Sequence, residues 1–252
     1  MRLPPPPLHI LNVEDTMDLL LENPKSFCRY GDGEFFIING QSIPFQEYDK
    51  ELATRLCEIL QSADDKCYIG LDHTYWDSTL KLREKNKKYR WQTGLEIRSS
   101  TLKYCNRKKL YISAICTCFY MASIRTNEEY RHHYEKFKQL FKNRNVVIFA
   151  GRTVFDKIQF NVFEYAASVR RIFTESKNAW RQRNEIMTAA RQFPKDFTLC
   201  FILGPTATVL AYDLAQEGYT AWDIGHVAKD YDYFMKGVPK DSDEGKNFFA
   251  PD

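Results

Sequence analysis

The 252-residue chain has no G-x-G-x-x-G turn, no internal repeat and no Gly/Ser-rich linker. The first absence argues against a dinucleotide oxidoreductase, because those glycines let a pyrophosphate approach the backbone at a helix start. The other two leave a single domain over 1–252 as the simplest arrangement. An excess of one charge is also missing. With 36 Lys and Arg against 33 Asp and Glu the net charge is +3, so bulk charge does not mark a nucleic-acid binder. No apolar run suits a membrane span; the longest, Leu110 to Ile124, is broken by Ser and Thr and falls short of the roughly 20 residues needed. "MRLPPPPLHI" lacks the apolar core of a signal peptide, and its prolines suit an extended arm over 1–11. The seven cysteines are odd in number and irregularly spaced, which fits reduced, buried thiols rather than a disulfide framework. Cys116-x-Cys118 has no second close pair to complete a zinc site. We expect a soluble, cytoplasmic protein with at most a peripheral contact at the inner face of the membrane.

What is present is a 44% apolar fraction, ample for a core, and frequent aromatics. Short apolar runs alternate with amphipathic ones. The pattern predicts strands at Ser26–Tyr30 continuing to about Ile38, and at Lys66–Leu71, Lys109–Ala114, Asn145–Ala150, Ser168–Phe173, Thr198–Leu203 and Thr220–Ile224. It predicts helices at Asn12–Leu21, Gln46–Ala63, Trp76–Cys105 in two pieces, Asn127–Phe141, Asn178–Gln192 and Thr206–Gln216. Such alternation argues for an α/β, Rossmann-like fold with a mainly parallel sheet flanked by helices. The segment after Val238 reads as a polar tail, 238–252.

Residues 197–226, "FTLCFILGPTATVLAYDLAQEGYTAWDIGH", form the clearest βαβ unit. An apolar strand ends at Gly204, Pro205 suits helix entry, Thr206 suits the first turn and Gly218 stops the helix. Ligands in such sheets bind beyond the carboxyl ends of the strands, where free helix N–H groups favour phosphate.

A second stretch, "FCRYGDGEFFII" at 27–38, places Asp32 and Glu34 inside an apolar run. In an extended backbone, residues i and i+2 face one side, so the two carboxylates would converge. Two like charges held close call for a cation, a proton or an arginine. Oxygen donors favour Mg²⁺ or Mn²⁺, with open positions for water and substrate phosphates. Gly31 and Gly33 would admit a bulky ligand, and Arg29 could contact phosphate. Other acidic pairs compete. Asp241 and Asp243 lie in the hydrophilic tail and read as solvated; Asp230 and Asp232 follow closely on Asp223 and His226.

"RYGDGEF" (29–35) together with "LGPTATVLAYDLAQEGYTAWDIGHVAKDYDYFMKG" (203–237) resembles the GT-D glycosyltransferase family, bacterial enzymes of glycoprotein and surface-polysaccharide assembly. Both blocks stand in family order, and the likeness runs from about residue 12 to 237, weakly in the middle. "KNAW" at 177–180 keeps a family look, whereas Ala150 replaces a usual Glu and Cys118 a usual Arg. The resemblance implies transfer of a hexose from a nucleotide sugar, a UDP-sugar, to a glycan, glycoprotein or lipid-linked saccharide. It puts the D-x-E metal motif on Asp32 and Glu34, with Mn²⁺ or Mg²⁺ as cofactor. It also implies a family histidine at His226 and acidic positions at Asp230 and Asp232, where Glu is typical.

On this reading Asp223, His226 and Asp232 are the catalytic candidates, with Asp72 and His73 as weaker ones. Arg29, Gly31, Gly33, Gly204, Pro205, Thr206, Ala207 and Asp230 would hold the nucleotide sugar. Tyr75, Trp76 and Trp91 could stack on sugars, the basic run 81–91 could approach anionic lipid, and His132-His133 reads as surface. A metal-dependent phosphohydrolase or nucleotidyltransferase, and a non-catalytic glycan-assembly binding protein, remain as alternatives. An oligomer is compatible with all of these.

Overall fold

Along Asn145–Gly151, Val146 and Ile148 pack on one face of a sheet and Val147 and Phe149 on the other. That is the period of two of an extended chain buried on both sides. The same alternation holds for Leu199, Cys200 and Phe201, and for Ala221 and Trp222. The computed structural model describes residues 8–76 and 84–249. In chain order the elements begin β1 (His9–Ile10), α1 (Val13–Glu22), β2 (Ser26–Tyr30), α2 (Asp32–Ile38), α3 (Lys50–Gln61), β3 (Cys67–Leu71), α4 (Glu84–Tyr104), β4 (Leu110–Ser113) and α5 (Phe119–Ala122). They continue with α6 (Asn127–Phe141), β5 (Asn145–Gly151), β6 (Ser168–Thr174), α7 (Arg183–Ala190), β7 (Thr198–Ile202), α8 (Pro205–Gln216), β8 (Thr220–Asp223), α9 (Val227–Lys236) and α10 (Asp243–Lys246).

The eight strands form one sheet in the order β1-β4-β3-β2-β8-β7-β5-β6, with every described pairing parallel. From β2 the chain moves outward to β3 and β4; from β8 the sheet runs the other way through β7 and β5. The β2–β8 junction is therefore where the winding reverses, the place such sheets open a ligand crevice. Helices α3 and α8 lie on one face of the sheet, α1, α6 and α9 on the other. Local chemistry fixes several ends. Asn12 caps α1 through the Asp15 N–H, Asp49 caps α3, and Thr126 and Glu129 form a reciprocal capping box at α6.

The α/β class and parallel sheet match the sequence reading, and α6 has the expected bounds. Several expectations do not survive. Residues 32–38 are helical rather than a continuation of β2, because Gly31 ends the strand and Glu34 folds back to accept the Gly31 N–H. The expected helix from Trp76 begins at Glu84 within the described residues, and residues 77–83 of that expectation lie outside them. His9 and Ile10 of the proline-rich arm pair with β4. The apolar run from Leu110 divides into β4, a 3₁₀ turn at Ala114–Cys118 and α5. His133, expected at the surface, is buried and its Nε2 lies 2.7 Å from the Cys116 carbonyl. The polar tail contributes Phe248, fully buried, to the core, while Asp241 and Asp243 are exposed as expected. No described helix is long and apolar enough to cross a membrane.

Trp222 joins the central strands to α6. Its ring lies 5.7 Å from Phe27 and 5.6 Å from Phe141, and its Nε1 donates to the Lys25 carbonyl at 3.1 Å. Trp222→Ala should destabilise the protein by about 3–5 kcal/mol, read from urea unfolding, since a fully buried ring leaves a cavity that close packing cannot fill.

Candidate active site

Arg29 is the last interior-facing cation of β2, and its guanidinium ties three strand ends together. Nη2 pairs with Asp223 Oδ1 at 2.9 Å, Nε donates to the Asp223 carbonyl at 3.0 Å, and Nη1 donates to the Ala114 carbonyl at 3.2 Å. Asp223 ends β8 and also accepts the Gly225 N–H at 3.1 Å. Gly225 is required beside them. Its φ is +44°, and a Cβ built there would lie 2.0 Å from Arg29 Nη2. The Thr208 hydroxyl of α8 donates to the Arg29 carbonyl at 2.8 Å, which sets the start of α8 against the end of β2. Burial opposes the charged guanidinium, but the Asp223 carboxylate outweighs it and holds Arg29 more firmly protonated. Burial pushes Asp223 up, against the downward pull of Arg29.

Asp32 and Glu34 occupy the first turn of α2. On a helix, residues two apart leave the axis about 200° apart, so the backbone does not aim them together as an extended chain would; their bonds gather both at the start of α2. Each carboxylate instead turns back on the local backbone. Asp32 Oδ1 accepts the Gly33 N–H at 3.0 Å, and Glu34 Oε2 accepts the Gly31 N–H at 2.7 Å. Tyr89 of α4 donates its hydroxyl to Asp32 Oδ2. Burial, then the negative charge of Asp223, raises the Glu34 carboxyl to about 7, although the Gly31 N–H and Arg29 draw it down. Among the described residues no three His, Cys, Asp or Glu side chains come together as a metal cage. Two hard carboxylates with lone pairs to spare fit an Mg²⁺- or Mn²⁺-like ion completed by water and phosphate oxygens, and do not fit a protein-enclosed centre.

The remaining sequence candidates separate sharply. His226 is half-buried, framed by Phe45, Phe248 and Phe249 at 6.4, 5.3 and 5.4 Å between ring centres. Burial and the charges of Arg29 and Lys229 push its pKa down to about 3, so the imidazole is neutral. Its ring nitrogens bond no described residue. Gly204 is exposed at φ +54°, but Pro205, Thr206 and Ala207 are buried, so only the glycine of that turn reaches the surface. Asp230 and Asp232 have structural tasks that account for their burial. Asp230 accepts the Tyr120 and Met121 N–H groups at 2.9 and 3.0 Å and the Tyr134 hydroxyl at 2.6 Å, pinning α5 to α9; burial still raises it to about 6. Asp232 accepts the Gln159 and Phe160 N–H groups at 2.8 and 3.0 Å and pairs with Lys236 at 2.6 Å. Asp232, the candidate base, and Asp230, the candidate ligand contact, thus both anchor loops in this structure. Asp223 likewise acts by positioning Arg29.

Asp72 follows the end of β3 and is engaged on both oxygens. Oδ1 accepts the Thr74 N–H at 2.9 Å, and Oδ2 pairs with Arg90 at 2.9 Å. Tyr75 and Trp76 are buried, which removes them as exposed sugar platforms. Phe45, Tyr89, Arg90 and the Phe248–Phe249 pair were not legible as site residues; no motif surrounds them, and long-range folding alone brings them in. "KNAW" has a local role. Asn178, in the left-handed region at φ 54°, accepts the Glu47 N–H at 2.7 Å and donates its own N–H to the Phe45 carbonyl at 2.8 Å, holding the 45–47 loop near Gly204.

A parallel α/β sheet with an Arg–Asp ion pair at its reversal point is the layout of a Rossmann-like domain. The chain belongs to the glycosyltransferase GT-D fold family, whose family model matches residues 27–247. The probable glycosyl transferase Gly of Streptococcus gordonii is 32% identical over 232 residues, 92% of this chain and 34% of that protein. The glycosyltransferase GlyD of Streptococcus pneumoniae serotype 4 is 27% identical over 92% of this chain and 28% of its own length. The chain thus spans about a third of the length of the curated relatives it matches. A solved structure described as a highly conserved domain of unknown function 1792 with a distinct glycosyltransferase fold has a TM-score of 0.85 and 28% identity, covering 91% of this chain and 82% of that one. A further structure, described as a new glycosyltransferase from Streptococcus sanguinis, has a TM-score of 0.85 and 30% identity, covering 91% and 85%.

Two outcomes test this electrostatic account. Arg29→Met leaves Asp223 buried without its partner and should cost about 3–5 kcal/mol in denaturant unfolding; adding Asp223→Asn should recover part of it. For Glu34 the raised pKa means that the folded state holds an extra proton between the ordinary carboxyl value and about 7. Its contribution to stability therefore falls as pH rises through that window. Glu34→Gln should gain stability relative to wild type as pH goes from 5 to 8, read as the difference in melting temperature. Comparing the two proteins cancels the opposite slope from His226 and His133, both held neutral at about 3.

Proposed function

We propose that this domain transfers a hexose from a UDP-sugar to a hydroxyl of a glycan acceptor, with Asp32 and Glu34 holding Mn²⁺ or Mg²⁺ against the donor diphosphate. The observation that carries the reading is the β2–β8 reversal point. There Arg29, locked by Asp223, sits between the first turn of α2 and the exposed Gly204 turn before α8. Transfer requires the acceptor oxygen to bond to the anomeric carbon as the bond from that carbon to the diphosphate oxygen breaks. The leaving diphosphate takes the electron pair. A bound divalent ion would supply neutralising charge at that oxygen. Asp32 and Glu34 would hold the ion from the first turn of α2, with Arg29 fixed nearby by its bonds to Asp223. The Gly204 main chain offers a close approach for the nucleoside part, beside Phe45. His226, neutral and with ring nitrogens that bond no described residue, is a sequence candidate able to hydrogen-bond the bound donor. The acceptor's proton leaves to solvent or to the donor phosphate.

A thermal-shift panel of nucleotide sugars, with and without Mn²⁺, tests the reading. At about 100 times its Kd the correct UDP-sugar should raise the melting temperature by roughly 5–10 °C, only when Mn²⁺ is present. Asp32→Asn should abolish the shift. With labelled donor, radioactivity should enter a saccharide product; release of free sugar alone, independent of acceptor, would instead identify a hydrolase.

A further inference from the structure

The donor reading uses the carboxyl ends of β7, β8 and β2 and assigns no ligand to the segments that follow β3. Two consecutive residues of α4 reach this region. Tyr89 bonds Asp32, and Arg90 pairs with Asp72. Arg90 is not a loose surface cation. Its side chain is only 15% exposed, and its guanidinium lies 4.7 Å above the buried ring of Tyr75. Asp72 cannot swing away, because its other oxygen is held by Thr74. A guanidinium carries five N–H donors in a fixed plane. In Arg90 the buried Nη1 pairs with Asp72 Oδ2 at 2.9 Å outside hydrogen-bond alignment, and the guanidinium makes no hydrogen bond to a described residue. Tyr89 is 40% exposed as a residue and stands directly beside the Asp32 carboxylate. Trp91, one of three rings the sequence offered as a platform, lies about 200° round the helix from Tyr89 and is 85% exposed.

An oriented, partly exposed ring and an immobilised, under-used fork of donors form a pair suited to a pyranose. The apolar face of the sugar covers the ring, and vicinal hydroxyls accept from the guanidinium. We propose that Tyr89 and Arg90 form the acceptor subsite, a ledge on the N-terminal half of α4 that binds the neutral saccharide to be extended. The proposal rests on the donor reading only for its direction, since it uses the region to which that reading assigns no ligand. Asp72 is a positioning residue in it, setting the plane of Arg90.

The test uses two separate probes on the full chain: an array of immobilised neutral oligosaccharides, and UDP with Mn²⁺ by calorimetry. The wild type should retain at least one oligosaccharide. Arg90→Ala and Tyr89→Ala should each weaken that retention about tenfold or more, while UDP–Mn²⁺ affinity stays within about twofold for Arg90→Ala. Tyr89→Phe, which keeps the ring and loses the Asp32 bond, should keep retention, as should Trp91→Ala; Arg90→Lys should be intermediate. The ledge is refuted if no oligosaccharide is retained by the wild type, or if both alanine variants retain it normally. It is equally refuted if Arg90→Ala loses oligosaccharide and UDP–Mn²⁺ together with a lowered melting temperature, the mark of a merely structural residue. A wild type that retains oligosaccharide in the variant-sensitive way yet ignores UDP–Mn²⁺ overturns the donor reading and leaves the ledge standing.

Discussion

The ion pair between Arg29 and Asp223 organises the crevice. A charge pair inside a sheet is expensive to desolvate and is tolerated only when the geometry is good and the remaining donors and acceptors are satisfied. Here both conditions hold. The guanidinium bonds the Asp223 carboxylate, the Asp223 carbonyl and the Ala114 carbonyl, and Gly225 gives it room by having no Cβ. The same two charges set the state of their neighbours. Asp223 helps keep Glu34 partly protonated near neutrality, and Arg29 helps keep His226 neutral. Binding of a cation or a diphosphate would therefore act on groups already poised by a fixed field.

Most of the acidic residues near the crevice are engaged in holding backbone. Asp230 and Asp232 each take two main-chain N–H groups, an arrangement that lets a buried carboxylate anchor a loop. They fasten α5 and the 159–160 segment to α9, so the acidic-aromatic block of the sequence works as scaffolding around the site. Asp72 does the same for the turn after β3. Asp32, Glu34 and His226 commit less of their hydrogen-bonding capacity to described residues than these three do.

Aromatic rings close the opposite side. Phe45 arrives from the loop before α3, and Phe248 and Phe249 from the C-terminal segment; all three meet His226. Phe248 also packs edge-on against Tyr233 of α9 at 5.2 Å. Apolar surface around a half-buried imidazole lowers the local dielectric and strengthens whatever charge interactions form there. The segment from 238 onward thus belongs to the site's wall, although only its last apolar residues do that work.

Strand and helix identities were largely legible, because apolar periodicity and capping residues act within a few positions of one another. The strands of both sheet halves, the capping box of α6 and the turn at Gly204 are all local events. Residues 32–38 were the instructive exception. "FFII" reads as a strand by propensity, yet the Gly31 N–H captured by Glu34 starts a helix, and tertiary packing of Phe35 and Ile37 keeps it. By itself the sequence determined the α/β class, the two motif blocks and the identity of the metal-binding candidates. Only the tertiary structure decided which acidic residues anchor loops, and that Tyr89 stands beside Asp32, Arg90 beside Asp72 and Phe45 beside Gly204. The reason is that hydrogen-bond saturation and burial are properties of the neighbours a side chain acquires, some more than 100 residues away, as the 194-residue separation of Arg29 and Asp223 illustrates.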